Sequence, residues 1–145
     1  MHIAPFENDN KPLVDVDDSI VPLTYFNIVK LEIGQAFFYQ TPGYETCVAP
    51  ATGTVDVSVE GENYAAIGQR KENVWDGEPE GVYVPVGAKA TMVAVNDTEV
   101  FVAGARYDKV LDPFDVRVAE LDTVQYGSDA LTGVVNFFTL QPEFT

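Results

Sequence analysis

The sequence predicts an all-β chain, a sandwich or closed barrel of short strands. Three observations carry that expectation. The stretch Thr54-Val55-Asp56-Val57-Ser58-Val59-Glu60 alternates with a period of two, its valines on one face and its polar residues on the other. Turn signals recur at intervals of about 8–12 residues, the spacing of sandwiches and barrels. No segment carries the apolar period of an amphipathic helix.

Residues 1–22 come before any β pattern and read as an N-terminal arm. They hold Pro5, Pro12 and Pro22, the cluster Asn8-Asp9-Asn10 and the acidic residues Asp15, Asp17 and Asp18. A polar arm is ordered only when something holds it, here the chain's own barrel or a neighbour. The barrel is expected over residues 23–106. Its first strand is Tyr25-Phe26-Asn27-Ile28-Val29-Lys30-Leu31-Glu32-Ile33, rich in β-branched and aromatic residues and stopped by Gly34. Ala36-Phe37-Phe38-Tyr39 is the second, ended by Thr41-Pro42-Gly43, and residues 45–50 form the third. The alternating strand around Val57 runs into a hairpin turn at Glu60-Gly61-Glu62-Asn63, and Tyr64-Ala65-Ala66-Ile67 returns. Val82-Tyr83-Val84-Pro85, residues 90–95 and residues 100–105 complete the set, with a turn at Asn96-Asp97. Residues 107–145 form a C-terminal extension. Its strands are Val116-Arg117-Val118 and residues 134–140, the latter closing the barrel edge or adding to a neighbour's sheet.

Composition sets the exclusions. The chain has 145 residues, one domain's worth, and 46% of them are apolar, so it can build a core. With 23 Asp and Glu against 8 Lys and Arg, its net charge is −15. That field argues against nucleic acid and against anionic membrane surfaces as partners. The single cysteine, Cys47, excludes an internal disulfide and reads as a small core residue within Cys47-Val48-Ala49. Apolar runs fall well short of the ~20 residues that span a bilayer. Met1-His2-Ile3-Ala4-Pro5 has no basic or apolar region of a secretory signal, so the expected location is a cytoplasm or a virion.

Several motifs in the right order resemble the N-terminal half of the 5-deoxy-glucuronate isomerase family of inositol catabolism, a branch of the cupins. They are Tyr25-Phe26-Asn27-Ile28-Val29-Lys30-Leu31 with Gly34, Gly53-Thr54-Val55-Asp56-Val57-Ser58-Val59, Ile67-Gly68-Gln69-Arg70, Trp75-Asp76-Gly77-Glu78-Pro79, and Val82-Tyr83-Val84-Pro85 with Gly87. The resemblance spans residues 24–106 and implies a cupin-like β-barrel, or jelly-roll-like sandwich. It also implies an enzyme of two such halves, nearly twice this length. Cupin isomerases hold a metal with histidines and a carboxylate. Here Ala90 stands where a histidine follows Pro85-Val86-Gly87, the region of the earlier ligands offers only Glu45, and the sole histidine is His2 in the arm. No metal site, no cofactor and no catalytic residue are therefore expected.

Three constellations remain. A uronate isomerase would draw its base from Glu45, Asp76, Glu78 or Glu80 and its donors from Tyr83 and Arg70, without a histidine near neutral pH. Asp76-Gly77-Glu78-Pro79-Glu80 gathers carboxylates as a calcium loop would, but lacks that spacing and reads as an exposed acidic turn. Arg70, Trp75 and Tyr83 form a possible ligand pocket; the plainer reading has Trp75 and Phe101 packing the barrel and Arg70 anchoring its loop. Phe6, Phe114, Phe137, Phe138 and Phe144 lie outside the resembling region and are expected as partner contacts. Together these readings favour a non-catalytic assembly protein, most concretely a capsid decoration protein seated on a larger shell and homo-oligomeric. The alternatives are a 5-deoxy-glucuronate isomerase-like subunit or a sugar-binding module.

Overall fold

The computed structural model describes residues 7–126 and 135–139, with side chains through residue 121. Eleven strands follow in chain order: β1 Thr24–Leu31, β2 Ala36–Gln40, β3 Tyr44–Thr52, β4 Val55–Val59, β5 Glu62–Ile67, β6 Gly81–Val84, β7 Lys89–Ala94, β8 Thr98–Arg106, β9 Phe114–Val116, β10 Asp122–Tyr126 and β11 Val135–Thr139. Two antiparallel sheets face each other across the core, in the orders β1-β8-β3-β6-β9 and β2-β7-β4-β5, and β10 pairs with β11 apart from them. This is the all-β sandwich that the alternation and turn spacing predict, with the two facing sheets that the resemblance implies.

Burial follows the period of two. Val55, Val57 and Val59 are buried and Asp56 is exposed, as the alternation requires. They meet Val29, Val48, Val82, Val84, Val100 and Val102 from the opposite sheet, with Ile67, Met92 and Ala90 beside them. The β4–β5 turn places Glu60 (φ 49°) and Gly61 (φ 90°) both in the left-handed region, the backbone of a tight primed hairpin turn.

Both sheet edges near the chain ends are managed. Residues of the arm pair with the free edge of β1: Val14 and Phe26 exchange backbone hydrogen bonds, and the Asn10 side chain bonds Lys30 through both its N–H and C=O groups. Buried Asn27 accepts from Asn8 and donates to the Asn10 carbonyl. The Asn8-Asp9-Asn10 cluster thus substitutes for a missing strand, and the barrel itself holds the arm. On the other side, β5 bulges: Val55 opposes Ile67 but Val57 opposes Tyr64, and Ala66 takes φ 53°. The bulge turns the carbonyls of Ala65 and Ala66 outward, where Arg117 donates to both at 2.6 and 2.9 Å.

Three expectations need correction. Cys47 is exposed, because β3 sends Tyr44, Thr46 and Val48 inward and Cys47 to the outer face; the surrounding sheet still pushes its thiol pKa up. Trp75 does not pack the barrel: it is 91% exposed on the loop before β6. The strand expected at Val116-Arg117-Val118 lies earlier, at β9, and the chain then makes a single 3-10 turn over Val118–Glu120.

Candidate functional site

One end of the barrel is built from the loops after β1, β3, β5 and β7. Backbone groups are tied across it: Gly53 N–H donates to the Arg70 carbonyl (2.8 Å), Thr54 N–H to Asn96 Oδ1 (2.9 Å), Ile33 N–H to Asp97 Oδ1 (2.9 Å) and Thr54 Oγ1 to the Gly68 carbonyl (3.0 Å). The loops enclose an open groove of about 630 Å³, lined by Gln69, Arg70, Lys71, Asn96, Asp97 and Thr54 among others. That volume falls in the range of small-ligand sites. Arg70 is fixed through Nε, which donates to the Gly77 carbonyl at 2.7 Å. Its two terminal nitrogens have no partner among the described residues, nor does Lys71 make an ion pair there. Two cations beside one carboxylate and amide groups therefore converge in a chain of net charge −15.

The loop between Arg70 and Glu80 is shaped by two carboxylates. Asp76 Oδ2 accepts from the N–H groups of Glu72 (2.7 Å) and Asn73 (3.0 Å), and these bonds hold its carboxyl below the ordinary value of 3.8. A depressed carboxylate stabilises the fold fully above its unfolded pKa and loses that contribution as pH falls through the folded one. Titration followed by NMR is accordingly expected to give Asp76 a midpoint below 3.8, with the amides of Glu72 and Asn73 moving at the same pH. A midpoint at or above that value would show the bonds to be broken in solution. Glu80 corrects the picture of an exposed acidic turn, since its side chain is only 2% exposed. It accepts from Gly68 N–H (3.1 Å), Gln69 Nε2 (2.8 Å) and Val118 N–H (3.4 Å), and Arg117 lies 3.7 Å away. Nothing in its local sequence marks Glu80 as buried, and Arg117 enters the sequence reading only as the middle of an expected strand.

The residues of the barrel interior do not fit a metal. Ala90 and Thr46 are buried, and Tyr39 on β2 reaches Thr46 on β3 with a hydroxyl–hydroxyl bond of 2.7 Å. Burial drives the Tyr39 pKa far above its usual range, so the group stays a neutral hydroxyl. Among the described residues no three His, Cys, Asp or Glu side chains lie together as metal ligands.

The residues expected to form a pocket are not joined. Arg70 lines the end groove, Trp75 stands in solvent, and Tyr83 lies on the outer face of β6, where its hydroxyl donates to Glu45 Oε2 at 2.6 Å. Phe114 stacks on Tyr83 with ring centroids 5.0 Å apart. Phe6 and Phe144 lie outside the described residues, as do the side chains of Phe137 and Phe138.

A family model, that of the KduI/IolB family, matches residues 2–143. The chain belongs to the KduI/IolB family. Solved structures agree on the fold. An IolB-like protein from Salmonella typhimurium LT2 superposes with a TM-score of 0.66 at 21% identity, over 74% of this chain and 41% of that one. The putative glyoxylate induced protein from Pseudomonas aeruginosa (TM-score 0.54, 15% identity, 74% and 39% covered) and protein Ylba from E. coli (0.52, 19%, 70% and 41%) share it too. This KduI/IolB chain thus covers about two fifths of the length of these solved proteins. No curated protein matches it. Members of the KduI/IolB family are sugar isomerases, which corrects the expectation of a non-catalytic chain. Among the described residues no helix is long and apolar enough to cross a membrane.

Proposed function

We propose that this chain is a barrel of a KduI/IolB-type sugar isomerase, and that it takes an acidic sugar at the Arg70 groove. One observation carries the reading: among the described residues the terminal nitrogens of Arg70 have no partner, and they stand in a groove of small-ligand size. A planar guanidinium held at Nε presents its remaining donors as a fork, the geometry that grips a carboxylate. Lys71 adds charge, while Asn96 and Asp97 supply a donor and an acceptor for sugar hydroxyls. Isomerisation moves a proton between neighbouring carbons and steadies an enediolate oxygen. The interior donors do not fit a metal, so the residues of this chain that we place in the reaction are those of the end groove, which bind and orient the sugar. The comparisons lend no support to a capsid-decoration role; family membership favours the isomerase alternative.

Titrating the isotope-labelled chain with glucuronate at low salt is expected to shift the amides of Gly53, Arg70 and Asn96. Glucose, which lacks the carboxylate, is expected to bind at least ~10-fold more weakly. An Arg70→Gln variant is expected to lose that preference with its melting temperature nearly unchanged, and Arg70→Lys to keep part of it. Groove amides that ignore glucuronate, or respond equally to both sugars, would overturn the assignment.

A further inference from the structure

The Arg70 groove continues past Asp97. A second hollow of about 420 Å³ opens beyond that residue, lined by Lys30, Glu32, Gln35, Thr52 and Glu99 among others. Asp97 borders both hollows. The chain also steps from one to the other at two further places, from Glu32 to Ile33 and from Thr52 to Gly53. The junction is tied from both sides. Ile33 N–H donates to Asp97 Oδ1 (2.9 Å), and Thr98 Oγ1 donates to the Thr52 carbonyl (2.6 Å). Ile33 stands at this junction 70% exposed, an apolar side chain midway along a polar surface.

The two hollows differ in charge. Arg70 and Lys71 face the first without an anionic partner among the described residues. The cation of the second is Lys30, and Glu7 already holds its ammonium at 2.7 Å. The carboxylates of Glu32 and Glu99 accept no hydrogen bond among the described residues. Gln35 accepts the Glu32 N–H through Oε1 (2.9 Å), which leaves its amide nitrogen as a donor. Acceptors and a neutral donor suit the hydroxyls of an uncharged sugar. A second sugar carboxylate would meet two carboxylates and no free cation there.

We propose that the hollow beyond Asp97 is a second sugar subsite, and that the groove takes a disaccharide with an acidic unit at Arg70 and a neutral unit at Glu32, Gln35 and Glu99. The inference rests on the Arg70 reading and adds the class of the substrate's second part. The neutral unit is carried on a ring hydroxyl of the acidic one, so the anomeric carbon of the acidic sugar stays free to open, as isomerisation requires. Ile33 lies where the two units join and offers its apolar surface to their C–H faces. The charge difference sets the direction of binding, because only the Arg70 end rewards a carboxylate.

Calorimetric and amide-shift titrations of the full chain test this with four sugars: glucuronate, glucuronate bearing N-acetylglucosamine on a ring hydroxyl, galacturonate and digalacturonate. The mixed disaccharide is expected to bind at least ~5-fold more tightly than glucuronate and to move the amides of Gln35, Thr52 and Glu99 in addition to those of Gly53, Arg70 and Asn96. Digalacturonate is expected to gain nothing over galacturonate. Glu32→Lys, at an exposed position just after β1, is expected to reverse that choice and to bind digalacturonate at least ~3-fold more tightly than the wild type does. A mixed disaccharide that moves only Gly53, Arg70 and Asn96, with no gain over glucuronate, would overturn the second subsite and leave the Arg70 reading in place. An equal gain for digalacturonate on the wild type would overturn the neutral class of its occupant. Silence of both sets of amides towards every sugar would overturn this inference and the Arg70 reading together.

Discussion

A Glu80→Ala variant is expected to lose about 3–5 kcal/mol of unfolding free energy, the cost of breaking a buried ion pair from one side. The size follows from what the carboxylate holds. Glu80 is 2% exposed, so water does not replace its carboxylate for the donors around it, while Arg117, 23% exposed, keeps its other partners and some access to water. Gly68 N–H and Gln69 Nε2 lose their acceptor together, and a buried donor left unpaired costs about 1–3 kcal/mol. Arg117 also donates to Ala65 and Ala66 at the β5 bulge and to Asp115 at 2.7 Å, so it joins the edge of the four-stranded sheet to the segment after β9. Glu80 is the charge that holds this staple from inside. Glu80→Gln, which keeps the shape but not the charge, is expected to lose about 1–3 kcal/mol. Denaturant midpoints at constant slope measure both. A Glu80→Ala protein within about 1 kcal/mol of the wild type would show that the pair contributes little net stability.

Local pattern explains which parts of this fold are readable and which are not. The valines of β4 announce their burial because alternating Asp56 and Ser58 leave one possible inward face. Cys47 defeats the same logic. It sits in the apolar run Cys47-Val48-Ala49, which suggests a core, but it shares its face with Glu45 two residues earlier and turns outward with it. Trp75 is large enough to be expected in a core, but its side of the chain is a loop, and loops run over the surface. Glu80 looks like the end of an acidic turn. Its burial depends on Gly68 and Arg117, which the fold brings to it from distant parts of the chain. The Arg70 groove has the same origin: Gln69-Arg70 is visible as a motif, whereas Asn96 and Asp97 join it only when the loops after β5 and β7 reach one end of the barrel.

Gly53→Ala is expected to lose about 2–6 kcal/mol of unfolding free energy. Two separate costs combine. Gly53 has φ +79°, where a side chain costs about 1–3 kcal/mol of backbone strain. A Cβ there would also meet the Asp97 carbonyl oxygen and the Thr98 Cβ at 2.7 Å, with Asn96 Oδ1 at 2.8 Å, and such overpacking costs about 1–3 kcal/mol more. Gly43→Ala separates the two. Its φ is +80° but nothing lies within 4 Å of the added carbon, so it should show the strain without the crowding. The crowding has a functional reading as well. The atoms in the way are the Asp97 carbonyl oxygen, Asn96 Oδ1 and Thr98 Cβ, and Asn96 and Asp97 line the groove. Relief requires these residues to move away from Gly53 and hence to change their distance from Arg70. Glucuronate binding should therefore weaken in Gly53→Ala even at temperatures where the variant is fully folded, and should be unaltered in Gly43→Ala. If both variants lose the same stability and neither changes the sugar response, the close approach of Gly53 to Asn96 and Asp97 does not set the groove's shape.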